Sequence, residues 1–437
     1  MKASVILKDL APFVPALSRF EEPLDLNLVF SGHGKHLDCP TLRLTNHHGL
    51  MIAGEAALSN WDAGMDMYIY GKLGNLTMTK EGINVLMTNL TGKVPPILQR
   101  LDYIRFNGEA AGYLHDLTLT GLFHTGAGMV KTDVMMSIDE QSMSRTYSGS
   151  VASADLDLGK LLNQEKKFGK VDFNVELKGF NYKNRYPESY IKGIISSFEY
   201  SQYQYENIML DGVYKDGGFN GRLSMDDANG SVQIDGNFNV AKTIPDFNLK
   251  ASVKNLRPHD LHLSDKYENA SISLGLTADF TGKSIDDMNG RISLDSLQLN
   301  APDEGGCFLD NLTITAGQVS GEKELRINSS FMTAVIRGDY SYHTIPASVV
   351  KTVQRYIPSL LTIKDNMPEP HNNFQFDICL ENAEVLSKLF QIPLELYLPA
   401  SLKGYFNDGE EKLHVEGHFP EFRYNAVSYT HLRAHET

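Results

Sequence analysis

Ser271-Ile272-Ser273-Leu274-Gly275-Leu276-Thr277-Ala278-Asp279-Phe280-Thr281-Gly282 alternates apolar with small or polar side chains along its whole length, then closes on a glycine. Successive side chains of an extended strand point to opposite faces, so Ile272, Leu274, Leu276, Ala278 and Phe280 share one face. An amphipathic helix would need its apolar residues three and four apart instead. The stretch therefore predicts a β-strand with one apolar and one polar face.

The same pattern recurs in both directions. Leu24, Leu26, Leu28 and Phe30 alternate with Asp25, Asn27 and Ser31 up to Gly32. Phe173, Val175 and Leu177 alternate with Asn174, Glu176 and Lys178 up to Gly179. Val232, Ile234 and Phe238, with Gly236 among them, oppose Gln233, Asp235 and Asn237. Phe374, Phe376, Ile378 and Leu380 follow, and then Leu413, Val415 and Phe419. On the order of twenty such segments are separated by turn residues such as Asp216-Gly217-Gly218 and Asp408-Gly409. Short connections imply antiparallel hairpins. One-faced strands also argue against a parallel α/β sheet, whose strands are apolar on both faces. The fold class is mainly β: a long curled antiparallel β-sheet forming an elongated groove, with short helical interruptions.

Those interruptions come in related settings. Lys8 to Phe20 precedes the strand closing at Gly32, Asp157 to Leu162 the strand closing at Gly179, and Pro258 to Leu261 the strand closing at Gly282. Glu381 to Phe390 and a looser copy over Lys80 to Leu101 complete the set. Repeat starts near 9, 80, 157, 260 and 382 suggest a repetitive segment over residues 1–426. Pro346 to Leu361 reads as the best amphipathic helix, with Val349, Val350, Val353, Tyr356 and Ile357 on one face. Residues 427–437, VSYTHLRAHET, abandon the alternation and are expected to be a non-native tail.

Composition excludes several classes of function. At 437 residues the chain is long enough for two to four ordinary domains. Its 42% hydrophobic content supports a sizeable apolar interior. A net charge of −14 without a basic stripe repels a phosphate backbone, so nucleic acid is not an expected partner. No apolar run is long enough to span a bilayer as a helix. Cys39, Cys307 and Cys379 are isolated, which supports neither a disulfide framework nor a zinc site.

The polar residues do not assemble a recognisable reactive site. His33 and His36 would fall on opposite faces of one strand, and His414 and His418 would stand about 13 Å apart on another. His47 and His48 sit beside Gly49 in a turn. Asp226-Asp227-Ala228-Asn229-Gly230 lacks the spaced ligands of a calcium loop. Asp408, Glu410 and Glu411 surround a turn and read as solvated. Tyr200, Tyr203 and Tyr205 read as strand formers rather than a binding surface. No nucleophile elbow, zinc-protease motif or nucleotide loop is present. No catalytic residue, metal ligand or cofactor is expected, and the chain is read as a non-enzyme.

The run Asp9-Leu10-Ala11-Pro12-Phe13-Val14-Pro15, the run Asp155-Leu156-Asp157-Leu158-Gly159-Lys160-Leu161-Leu162 and the strand–glycine closures resemble the TamB/AsmA-like envelope proteins, particularly those of Bacteroidetes-type bacteria. The resemblance covers residues 1–426. It implies a β-groove with an apolar interior that carries phospholipid acyl chains between inner and outer membranes. It also implies an outer-membrane barrel as partner and a periplasmic location, held to the inner membrane by an N-terminal segment this sequence lacks. On that reading the groove lining is Leu26, Leu28 and Phe30; Phe173, Val175 and Leu177; Val232, Ile234 and Phe238; Ile272, Leu274, Leu276 and Phe280; and Phe374, Phe376, Ile378 and Leu380. The alternative is a structural or adhesive repeat protein of closed β-sandwich modules without lipid cargo. A membrane barrel ranks below both, since it needs aromatic girdles and long loops.

Overall fold

The computed structural model describes residues 2–10, 18–21, 23–139, 141–142, 144–181, 188–265, 268–302, 305–345, 348, 372–390, 392–410, 412–424 and 427–435. As the alternation predicts, the chain is mainly β: a curled antiparallel sheet, not closed into a barrel, with few short helices. It divides into two compact units, residues 1–216 with 225–227, and residues 217–224 with 228–437.

The first unit is a meander. β1 (Lys2–Ile6) pairs with β2 (Pro23–His33), and β3 (His36–Thr45), β4 (Leu50–Ser59) and β5 (Tyr68–Thr79) add in order. After α1 (Lys80–Thr91) and α2 (Pro96–Gln99) the sheet continues with β6 (Tyr103–Tyr113), β7 (Asp116–Thr125), β8 (Gly128–Ile138) and β9 (Arg145–Ala154). β10 (Leu156–Asp157) and α3 (Leu158–Leu162) lead to β11 (Phe168–Asn181), which pairs with β9. β12 (Glu188–Tyr200) and β13 (Tyr203–Lys215) follow.

In the second unit, β14 (Gly218–Asp227), shared with the first by sequence, precedes β15 (Gly230–Asn239). β15, β16 (Asp246–Leu256), β17 (Ser271–Thr281) and β18 (Asn289–Asn300) pair consecutively. β18 divides its far edge between β19 (Cys307–Leu309) and β20 (Leu312–Val319). β21 (Glu322–Ser329), β22 (Met332–Asp339) and β23 (Asn373–Leu380) extend it. α4 (Glu384–Phe390) and β24 (Leu394–Leu396) intervene before β25 (Ala400–Asn407), the partner of β23. β26 (Lys412–Tyr424) pairs with β24, β25 and β27 (Val427–His435). Residues 427–435, read from sequence as part of a non-native tail, form a strand paired with β26.

The interruptions have mixed outcomes. α1 begins on Thr79, whose hydroxyl accepts from the Gly82 amide, and ends on Gly92 in the left-handed region. α3 begins on Asp157, whose carboxylate accepts from the Lys160 amide. Asp9 lies in a 3-10 turn, Leu7–Leu10, and residues 11–17 of that first interruption are outside the described residues. Pro258 to Leu261 forms hydrogen-bonded turns instead of a helix, because Pro258 and the left-handed His262 leave no room for a second turn. The helix expected over 346–361 lies outside the described residues, Ser348 excepted.

Directly opposed residues of an antiparallel pair project to the same side. In the first unit one such row runs from Leu28 through Leu42, Gly54, Leu73, Gly108 and Gly121. Val151, Val175, Gly193 and Leu210 share a row farther on. On the opposite side Glu55 faces Lys72, Lys72 faces Glu109, and Glu176, Lys192 and Asp211 line up, with Lys192 3.3 Å from Asp211.

Crowding falls on the apolar side. A Cβ on Gly108 would stand 2.6 Å from the Cα of Gly121, and the Phe106 ring lies over both glycines. Gly149 has a φ of 145°, closed to L side chains, and a Cβ there would meet the Asp133 carbonyl and stand 2.7 Å from the Val134 Cα. Glycines at such points let a sheet bend toward the side they vacate. Gly149→Val should therefore destabilise the first unit by about 1–3 kcal/mol or more. Chemical denaturation measures this, and Ser148→Val, at a half-buried position on the other face, serves as the mild comparison.

Candidate functional site: the apolar face

The largest side-chain feature of either unit is the apolar face itself. In the first unit it is covered at one end. Helices α1, α2 and α3 place Ile83, Met87, Leu98, Leu158 and Leu161 against Ile104, Phe123, Val130 and Val171 of the sheet. Ile83 is 1% exposed. Lys160 locks this cover in place, 2.5 Å from the Asp102 carboxylate and 3.0 Å from the Gly126 carbonyl. Arg100 donates to the Leu161 carbonyl. Away from the helices, Leu42, Leu73, Val151, Val175, Leu177 and Leu210 are only half-buried. The inner face of a closed sandwich buries such residues completely.

In the second unit the apolar face carries a strap. Tyr340, Tyr342 and Ile345 lie on Phe280, Ile292, Ile314, Ile327, Phe374 and Phe406. Buried polar groups pin the strap. The Asn372 side chain accepts from the Ser341 amide at 2.9 Å and donates to the Ser348 hydroxyl at 2.6 Å. Asp286 accepts from the Ser341 hydroxyl at 2.9 Å and the Tyr342 amide at 2.6 Å. The Lys323 ammonium lies 4.3 Å from the Tyr340 ring centre and 5.2 Å from that of Tyr342. Burial pulls the Lys323 pKa down, with Asp286 opposing it, and burial pushes the Tyr340 phenol up. α4 covers a further part of the face, with Val385, Leu386 and Leu389 on Leu274, Leu297, Leu309 and Leu380.

The expected lining residues divide accordingly. Leu26, Leu28, Val175, Leu177, Val232, Ile234, Leu276 and Ile378 are half-buried on their strands. Phe173 joins the helix-covered cluster of the first unit. Ile272 packs beside Leu299 and Leu389, and Leu274 and Leu380 lie under α4. Phe280, Phe374 and Phe376 lie in the cluster the strap covers, and the Phe280 ring stacks on Phe247 at 4.8 Å. Phe238 meets Phe219 at 5.8 Å. Phe30 is 53% exposed and lies where the β2–β3 register shifts, opposite the extra residue of β3 between Asp38 and Thr41.

The polar residues singled out by sequence have local roles. His33 and His36 face each other across a hairpin instead of sharing one strand, and His36 contacts Asp38 and Ser59. His414 lies 3.3 Å from Glu416. Asp227 accepts from the Tyr203 hydroxyl at 2.6 Å, and Glu410 pairs with Lys412 at 2.8 Å. Among the described residues no group of three or more His, Cys, Asp or Glu side chains could hold a metal ion. No helix among them is long and apolar enough to cross a membrane.

Sequence reasoning missed one charged cluster. Glu324 is buried on the polar side of β21 and accepts from Arg337 and, at 3.0 Å, from Arg326. The Arg337 hydrogen bond, with Arg326 beside it, holds the Glu324 carboxyl below the usual range. Glu324 and Arg326 sit two apart on one strand, and Arg337 is directly opposite Glu324. No family model, curated protein or solved structure matches the chain.

Two outcomes follow. Asn372→Ala strands the Ser341 amide and Ser348 hydroxyl, which should cost about 1–3 kcal/mol. Faster hydrogen exchange in the strap, residues 340–345, is the readout. Glu324 contributes stability that is complete above its ordinary value of 4.5 and is lost as pH falls through its lower folded value. Glu324→Gln should thus destabilise the second unit at neutral pH and flatten its loss of stability below that value, as measured by urea unfolding across the acid range.

Proposed function

We propose that this chain is a non-catalytic lipid-conduit segment of a TamB/AsmA-like cell-envelope protein. It would carry phospholipid acyl chains on its apolar face between the inner and outer membranes, in the periplasm. Residues beyond this chain would supply the inner-membrane anchor and the contact with an outer-membrane barrel partner. The observation that carries the reading is the half-buried aliphatic face of the first unit, continued over rows such as Val151, Val175 and Leu210 with helices over one end only. Contiguous apolar surface of this kind marks an interaction site for apolar partners. Its lining is aliphatic, small and uncharged, which suits flexible acyl chains, while its opposite side carries the charged row of Glu176, Lys192 and Asp211.

A photo-crosslinking amino acid at Val175 should capture phospholipid in cells, whereas the same group at Glu176 should not. Leu177→Asp places a carboxylate among acyl chains at a cost of several kcal/mol and should strip lipid from the purified protein. Equal labelling from both faces, or purification of the unaltered protein without lipid, rejects the proposal.

A further inference from the structure

The first unit has two unlike strand-end edges. At one, Thr79 faces Tyr103 and α1, α2 and α3 close over the apolar face. At the other, marked by the row His33, His36, Ser59, Tyr68, Tyr113 and Asp116, the described connections are hairpin loops and one 3-10 turn, Gly64–Asp66.

This loop edge is rich in amphipathic and soft side chains. On the apolar side its last row passes from Leu37, Leu58 and Ile69 to Met136, Tyr147 and Tyr214. Tyr147 meets the Ser189 hydroxyl, so its ring lies on the apolar face and its polar end is satisfied at the edge. Trp61, the chain's one tryptophan, is 53% exposed in the β4–β5 loop, and Met136 is 41% exposed. On the outer side Tyr68 and Tyr113 pack edge to face at 5.4 Å. Tyr and Trp concentrate where apolar and aqueous media meet, because one end of each ring is apolar and the other is wet.

The edge is also acidic. Among the described residues Asp38, Asp62, Asp66, Asp116, Asp139, Glu188 and Asp216 stand against Lys35, Arg145 and Lys215, with His36 2.9 Å from Asp38 and His115 3.6 Å from Asp66. Two of those cations are already paired, Lys35 with Asp62 at 2.7 Å and Lys215 with Glu188 at 2.8 Å. Lys183 and Arg185, in residues 182–187, lie outside the described residues.

We propose that this loop edge is where carried phospholipids expose their headgroups, and that it favours amine-bearing headgroups over acidic ones. The inference rests on the lipid-conduit reading. Acyl chains lie along the aliphatic rows, the aromatic rim sits at the level of the glycerol, and the carboxylates complement an ammonium group while repelling a net anion. The helix-covered edge is closed to headgroups.

Trp61 makes the test direct. The full chain is loaded with phosphatidylethanolamine or phosphatidylglycerol brominated either near the glycerol or near the chain end, and bound lipid is quantified by extraction. Trp61 fluorescence should be quenched more by bromine near the glycerol. In a mixture the ethanolamine lipid should be recovered about threefold to fivefold over the glycerol lipid, the scale of one exposed charge pair. With Trp61→Phe and Ile97→Trp, which move the reporter to α2, near-glycerol quenching should disappear. Loaded lipid with Trp61 unquenched, or quenched more by chain-end bromine, overturns the placement of headgroups. Equal or preferential recovery of the acidic lipid overturns the headgroup preference. Failure of any lipid to load, by contrast, overturns the conduit reading itself.

Discussion

Side chains on the inner side of a bent sheet compete for less room than those on the outer side, and the rest of this structure depends on how that conflict is resolved. Glycine supplies the room. Gly54, Gly108, Gly121 and Gly193 lie within aliphatic rows of the first unit, and the Phe106 ring fills the gap over the Gly108–Gly121 pair. Without those positions the apolar rows would hold the strands flatter, since close approach of neighbouring backbones would be blocked. The glycines thus serve two ends: they admit curvature, and they leave shallow, uncharged stretches between Leu and Val side chains.

The apolar face is then finished differently in the two units. The first has helices at one end and half-buried aliphatic residues elsewhere. The second has a strap whose tyrosines are held by Asp286, Asn372 and Lys323, and a helix over a further part. Each cover is fixed by polar groups at its margins, while its apolar residues do the packing. A cover of this kind is specific, because an unsatisfied Asn372 or Asp286 would be costly. It is also local, since each anchor touches only a few residues.

Period-two alternation made the strands and their faces legible from sequence, because it records which side of each strand meets apolar surroundings. Val175 and Leu177 could be assigned a face without coordinates, and so could Glu176 and Lys178. α1 and α3 were legible only as interruptions in a repeated setting; their caps, Thr79 and Asp157, act within a few residues of themselves. What alternation could not convey was cover. Phe374 and Val175 read alike in sequence, yet one lies under the strap and the other is half-buried, because the covering residues are distant in the chain. Phe30 is exposed where β3 carries one extra residue opposite it, between Asp38 and Thr41, a bulge that the letters of β2 do not record. His33 and His36 would take opposite faces only on a shared strand; the two-residue turn of Gly34 and Lys35 sets them opposite each other instead.

The charged outer face has a bearing on how such a sheet finds its alignment while folding. Sliding one strand by a single residue would turn its whole apolar set outward, and that error is heavily penalised. Sliding it by two residues keeps every apolar side chain inward, so on that face only the fit at points such as Gly108–Gly121 tells it from the native alignment. The outer side does distinguish it. Glu176 opposite Lys192, Lys192 opposite Asp211 and Lys72 between Glu55 and Glu109 are all lost by that shift. One side of the sheet thus supplies cohesion and the other supplies proofreading, so strand alignment does not rest on the interior alone.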